Sequence, residues 1–240
     1  LHTTSFDPGG FAEYLRIPQI NVNRGVFPIP DHVGYDEASI TEPLACVYRG
    51  QRRANLQPGQ NVLVLGSGLA GLIHINLARA LGAGRIIATD MVDYRLDAAR
   101  KLGADVTFSA MEDVPARLRE ANNGRLADLV IVCTGALPAL QQALESVERG
   151  GTVLFFAPTA PGVSLPVPIN DVFFRNDVTL TTTYAGAPAD LATAMDMIAS
   201  GRVQVGEMIS HRLGLAEAGL GFKLTADAGD SLKVIIQPQK

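Results

Sequence analysis

Residues 62–71 constrain this chain more than any other stretch. Four apolar residues, Val62 to Leu65, run directly into Gly66-Ser67-Gly68-Leu69-Ala70-Gly71. Beyond the turn, Leu69, Leu72, Ile73, Leu77, Ala80 and Leu81 recur at the spacing of one helix face. A strand, a glycine turn and a helix start in this order predict a site for a dinucleotide. Gly66 permits the tight turn, Gly68 lets the main chain approach a pyrophosphate, and Gly71 lets the helix lie against the strand. The helix aims its unpaired amides and the positive end of its dipole at the phosphates, so Ser67, Leu69 and Ala70 join the glycines as expected cofactor-binding positions.

The glycine spacing alone is a weak signal, and its context strengthens it. Residues 85–89 predict the next strand, and Asp90 stands at its end, nineteen positions beyond Gly71. An acid there accepts hydrogen bonds from the adenosine ribose hydroxyls, and the expected cofactor is NAD. A 2′-phosphate beside that carboxylate would cost roughly 1 kcal/mol per charge pair in water-like surroundings, and several-fold more where screening is poorer. Two alternatives stand beside this reading. One is a glycine turn with an incidental surface Asp; the other is a methyltransferase-type Rossmann domain, which the full spacing matches less well.

Composition sets the limits. An apolar fraction of 47% against 18% charged residues over 240 positions fits an α/β protein with a substantial core, not a disordered chain. A net charge of −4 leaves no basic footprint, so neither nucleic acid nor an anionic membrane is an expected partner. No apolar run reaches spanning length, and the first residues given show no charged n-region with a cleavage site. Cys46 and Cys133 suit a reducing compartment, and the cytoplasm is the expected location. The first residue is Leu1, compatible with processing or with a chain whose upstream part is absent.

Pattern then predicts strands over 61–65, 85–89, 105–108, 127–134, 152–156 and 178–184. Helices are predicted over 69–81, 94–102, 114–121 and 137–147. This alternation implies a doubly wound six-stranded parallel sheet, an α/β Rossmann fold, with the cofactor across the point where strand order reverses. Upstream, Asp7-Pro8-Gly9-Gly10 reads as a turn, and Phe11, Glu13, Leu15 and Ile17 alternate with Ala12, Tyr14 and Arg16 as a strand over 11–18. Asp36 is the expected cap of a helix that runs through 44–54, with Pro43 in its first turn. A proline-rich connection over 157–168 follows the fifth strand. Helices over 188–200 and 215–225 and a strand over 231–237 are expected to rejoin the β-rich part to which the N-terminal strand belongs.

Taken in order, several stretches resemble the medium-chain dehydrogenase/reductase family, and within it the zinc-dependent polyol, threonine and secondary-alcohol dehydrogenases. They are Gly9-Gly10-Phe11-Ala12-Glu13-Tyr14, Glu42-Pro43-Leu44-Ala45-Cys46, the glycine turn with Thr89-Asp90, Tyr94-Arg95-Leu96, Lys101-Leu102-Gly103-Ala104-Asp105, Cys133-Thr134-Gly135-Ala136 and Ile209-Ser210-His211-Arg212-Leu213. The resemblance implies part of a GroES-like β-rich catalytic domain over 1–43, an NAD-binding domain over 44–185 and a return to the catalytic domain over 186–240. The zinc-binding cysteine, the His-Glu pair and the four-cysteine lobe of such enzymes have no counterpart in this sequence, which resembles their chain from just after that lobe.

From the same resemblance, Glu42 faces a catalytic zinc, directly or through its water, and is both the catalytic and the metal-binding candidate. Arg95 packs near the adenosine. Cys133, Thr134, Gly135, Phe156 and Ala157 end strands beside the cofactor, and Thr182, Thr183 and Tyr184 approach the nicotinamide, Thr182 where relatives often carry glycine. The substrate is a small alcohol or polyol, its hydride passes to NAD, and the edge over 178–184 pairs subunits into a homodimer or homotetramer. A zinc-free quinone or enoyl reductase and a non-catalytic NAD-binding module are the rival readings. His211 and His74 read as structural, His2 and His32 lack ligand spacing, and Cys46 reads as a small buried hydrophobe.

Overall fold

The computed structural model describes residues 9–240. His2 and the Asp7-Pro8 half of the first expected turn lie outside the described residues. The first helices of the described residues are α1 (Gln19–Gly25), α2 (Tyr35–Ala38) and α3 (Thr41–Arg53). Strand and helix then alternate: β1 (Val62–Leu65), α4 (Leu69–Ala80), β2 (Ile86–Asp90), α5 (Asp93–Lys101), β3 (Val106–Ser109) and α6 (Val114–Ala121). A second run follows, with β4 (Ala127–Val132), α7 (Leu137–Ser146), β5 (Val147–Phe155) and β6 (Thr179–Thr182). The tail holds α8 (Pro188–Ala199), β7 (Ile209–Gly214), α9 (Ala218–Asp227) and β8 (Lys233–Gln237).

Six strands form one parallel sheet in the order β3-β2-β1-β4-β5-β6. The order reverses between β1 and β4, which opens a crevice beyond their carboxyl ends. Each strand of the centre is covered on both faces, which is why β1 is apolar at every position. Val62 and Val64 pack with α3, α4 and α8 residues such as Leu44, Leu72 and Ile198, whereas Leu63 and Leu65 pack with Leu118, Leu140 and Ala143 of α6 and α7. Among the described residues no helix is long and apolar enough to cross a membrane.

The expected strand over 11–18 does not form; only an isolated bridge stands at Arg16, and α1 follows where no helix is expected. Alternation becomes a strand only when a neighbour takes up its amides and carbonyls along its length, and here the pairing goes no further than the single bridge at Arg16. Phe11 and Tyr14 are exposed as a result. Asp36 does not cap α3. Gly34 precedes α2, Ile40 precedes α3, and the Asp36 carboxylate turns to Arg212 and to Gln237 Nε2 at 3.3 Å. The Arg212 guanidinium holds that carboxyl below its ordinary range.

The tail does meet the start of the chain. Besides Asp36 with Arg212, Gln239 Nε2 donates to the Glu13 carbonyl at 3.1 Å and the Phe11 and Phe222 rings lie 5.1 Å apart. Residues 209–214 add a strand that the sequence reading leaves unassigned; β7 pairs with β8 in parallel as a separate two-stranded sheet.

Candidate cofactor site

The turn after β1 is built from close approaches. Gly66 has φ 94°, a left-handed backbone open to glycine, and its amide donates to the Thr89 carbonyl at 3.0 Å. A Cβ placed on Gly71 would sit 1.9 Å from the Gly66 carbonyl oxygen, so the first turn of α4 rests directly on the loop. Gly68 is the residue before the helix, in extended backbone, and the Arg95 guanidinium lies across it, 3.9 Å from where its Cβ would be. Ser67 is fully buried, and its hydroxyl donates to the Thr89 carbonyl at 3.1 Å.

Asp90 ends β2 with its carboxylate almost buried at 8% exposure. It reaches back to the turn: Ser67 N donates to Oδ2 at 2.8 Å, and Val92 N donates to Oδ1 at 3.0 Å. The carboxylate therefore braces the glycine loop as well as edging the crevice, a role the sequence reading does not contain. Asp90→Asn puts an amide NH2 where one of those donors needs an acceptor. It should cost about 1 to 2 kcal/mol of stability and weaken dinucleotide binding, as read by urea unfolding and calorimetry. Wild-type stability in this variant would remove the bracing role.

The crevice holds a cavity of about 490 Å³ lined by Gly66, Gly68, Asp90, Arg95, Cys133 and Thr134, together with Met91, Met111 and Gln142. Arg95 Nε is buried and has no hydrogen-bond partner among the described residues, an orphaned donor beside the turn. Burial pushes the Cys133 thiol far up, so it faces the cavity as a neutral group. Of the residues missed in the sequence, Met91 and Met111 follow β2 and β3 and Gln142 lies in α7; the rule that ligands sit beyond strand ends would have found Met111, because it applies to β3 as it does to the other strands.

A second cavity, about 270 Å³, lies on the other side of the α4 N-terminus. Leu69 and Ala70 form its floor, and Glu42, Cys46, Phe156, Thr183, Tyr184 and Ala185 form its walls. Glu42 and Cys46 sit one turn apart on α3, and the Cys46 thiol donates to Glu42 Oε1 at 3.2 Å. Burial first, and Glu42 second, push that thiol up to about 11. Among the described residues no three His, Cys, Asp or Glu side chains come together to hold a metal ion. Glu42 with Cys46 thus falls short of the three protein ligands a catalytic zinc requires.

The remaining expected residues divide. Gly135 is glycine by necessity, since a Cβ there would lie 2.4 Å from the Pro158 carbonyl oxygen. Ala157 N donates to the Val132 carbonyl at 3.1 Å, which ties the chain after β5 to β4. Thr182 turns its polar groups to the scaffold: its hydroxyl donates to the Phe155 carbonyl at 2.9 Å and its carbonyl accepts from Arg53 Nε at 3.0 Å. It lines neither cavity.

Behind Phe156 lies His74, fully buried in α4 and edge-on to the Phe156 ring at 4.6 Å. Gln51 Nε2 lies 3.1 Å from its Nδ1 and donates to its carbonyl at 2.8 Å. His211 contacts Ser210 Oγ at 2.9 Å, and His32 contacts the Ala199 carbonyl at 3.1 Å, both outside the two cavities.

This geometry has a counterpart in sequence. Residues 70–200, more than half of the chain, match the family model described as zinc-binding dehydrogenase. The chain belongs to that family. Sorbitol dehydrogenase of Bacillus subtilis is 31% identical across 97% of this chain and 64% of its own length. Alcohol dehydrogenase TADH from Thermus sp. ATN1 superposes with a TM-score of 0.85 at 32% identity, over 95% of this chain and 67% of that one. A zinc-binding dehydrogenase of Sinorhizobium meliloti bound to NADP also gives 0.85, at 27% identity, over 96% and 66%. The chain thus spans less than two thirds of the length of the curated relatives it matches.

Proposed function

We propose that this chain is the cofactor-holding part of an oxidoreductase that takes hydride from a secondary alcohol or a polyol and passes it to NAD. The observation that carries the reading is Asp90, an almost buried carboxylate that braces the glycine turn and edges the crevice. A negative charge there favours ribose hydroxyls and opposes a 2′-phosphate. The name of the Bacillus subtilis relative supports a polyol as substrate, and that of the Thermus enzyme supports an alcohol.

When bound, NAD supplies the hydride-accepting ring. This chain's own residues bind it and orient it. The main chain of Gly66 to Gly71 suits the pyrophosphate, and Asp90 with Arg95 flanks the adenosine end. Phe156 and the segment from Thr183 to Ala185 wall the cavity on the other side of the α4 start and keep water from one face of it. Glu42 contributes a carboxylate at that end; a catalytic zinc there needs further ligands besides Glu42 and Cys46.

β6 is an edge strand of the sheet, the segments before and after it carry exposed Phe174 and Tyr184, and an unpaired strand edge favours a partner. This supports a homodimer or homotetramer through 178–184. The two free cysteines support the cytoplasm as its location.

Titration calorimetry of the chain with NAD and with NADP tests the reading. NAD should bind at least about tenfold more tightly, the equivalent of one well-screened charge pair in a partly buried site. Tighter binding of NADP, or no binding of either, overturns it.

A further inference from the structure

The loop between β6 and α8 walls the second cavity through Thr183, Tyr184 and Ala185. It is held in a conformation that it would not keep unaided. Ala185 has φ 59°, in the left-handed region that costs a residue with a Cβ roughly 1 kcal/mol or more. The next residue, Gly186, presses on α3: a Cβ there would lie 3.0 Å from the Ala45 Cβ. Backbone strain of this kind persists only where the surroundings over-determine it.

Here the surroundings are two anchors on α3. Arg53 Nε takes the Thr182 carbonyl at the start of the loop. Asp190 fixes its end. That side chain is 3% exposed; Oδ2 accepts from Ala187 N at 2.9 Å, and Oδ1 accepts from Arg52 Nη2 at 2.9 Å. Arg49 Nη1 stands 3.6 Å from Oδ2. A cap for α8 needs only the first of these bonds and no arginine. The arginines do something further. They bind the first turn of α8 to the same helix that carries Glu42 and Cys46, so both walls of the cavity are fixed to one rigid element.

We propose that Asp190 is a positioning residue for the nicotinamide end of the cofactor, acting through Arg52 and Arg49 to hold the 183–187 loop against α3. The assignment rests on the dinucleotide reading above. On that reading the adenosine end takes the other cavity, whose lining includes Asp90, Arg95 and Gly68 and none of Arg49, Arg52, Asp190 or residues 183–187. Loosening the clamp therefore affects one half of the ligand and spares the other.

Calorimetry of the 240-residue chain with NAD and with ADP-ribose, which lacks the nicotinamide, reads the two halves separately. Asp190→Asn should weaken NAD about tenfold, the scale of a modest misplacement of a binding group, and leave ADP-ribose unchanged. Arg52→Met, at a side chain that is 57% exposed, should give the same pattern and decides the matter if Asp190→Asn does not fold. Equal losses for both ligands, or no loss for NAD, would reduce the clamp to packing of α3 on α8 and overturn the proposal. Failure of wild type to bind ADP-ribose is a different result: it overturns the dinucleotide reading itself, and this inference with it.

Discussion

Gly71→Ala is expected to lose dinucleotide binding by more than about a hundredfold and to destabilise the chain by about 3 kcal/mol, the upper end for overpacking. The reason is what the new methyl would meet. It would lie 1.9 Å from the Gly66 carbonyl oxygen and 2.9 Å from the carbonyl carbon, both backbone atoms of the turn. A side chain can rotate away; this carbonyl cannot, because the Gly66 amide and the buried Ser67 tie the same loop to Thr89 and Asp90. Either α4 lifts from β1 or the turn opens, and each moves the amides that suit a pyrophosphate. Gly219→Ala is the control, since no heavy atom within 4 Å faces that position in α9 and helix propensity favours alanine. Thermal melts and calorimetry on both variants check the expectation. A Gly71→Ala chain that binds NAD as wild type does would mean that the turn does not hold the cofactor.

His74 should make the fold acid-sensitive. Burial in α4 lowers its pKa to about 3 from an ordinary 6.5. Its neighbours explain why no proton is welcome. Gln51 and the Phe156 ring flank the imidazole, and Nε2 is buried without a hydrogen-bond partner among the described residues. The unfolded chain takes up the proton below about pH 6.5 while the folded chain refuses it until about pH 3. Stability from this group is therefore complete at neutral pH and falls as pH falls, by about 1.4 kcal/mol per unit through that window. At pH 4.5 the loss should reach 2 to 3 kcal/mol, as an order of magnitude. Urea unfolding at pH 7 and pH 4.5, wild type against His74→Phe, isolates it from the carboxylates that titrate in both proteins. The variant should lose less stability on acidification by about that amount; parallel losses would show that His74 does not carry the effect. The consequence reaches the site, because His74 backs Phe156, which walls the second cavity.

Much of this is legible in the sequence. The apolar run of β1, the glycines at 66, 68 and 71 and the acid at 90 define a local unit whose parts are neighbours in sequence. Short-range geometry alone then dictates strand, turn and helix, and strand–helix alternation dictates a parallel sheet. Periodicity places the central strands and the helices between them close to where they form, because these are buried on a face that their own pattern reveals; β5 starts earlier than its pattern predicts, at Val147, and the edge strand β6 buries no residue. The N-terminal strand over 11–18 failed on the same ground: its alternation says which face to bury but not whether a neighbouring strand is there to pair with it.

What tertiary structure alone decided is the company each polar group keeps. Asp36 looked like a cap and instead pairs with Arg212, 176 positions away. Asp190 carries no assignment in the sequence reading and is gripped by Arg52, 138 positions away. Asp90 was expected to face a sugar and also braces the loop that faces the phosphates. Sequence pattern carries backbone conformation because that is set by near neighbours and by which side is apolar. The partners of a buried charge are set by where distant segments cross, and no local pattern encodes that crossing.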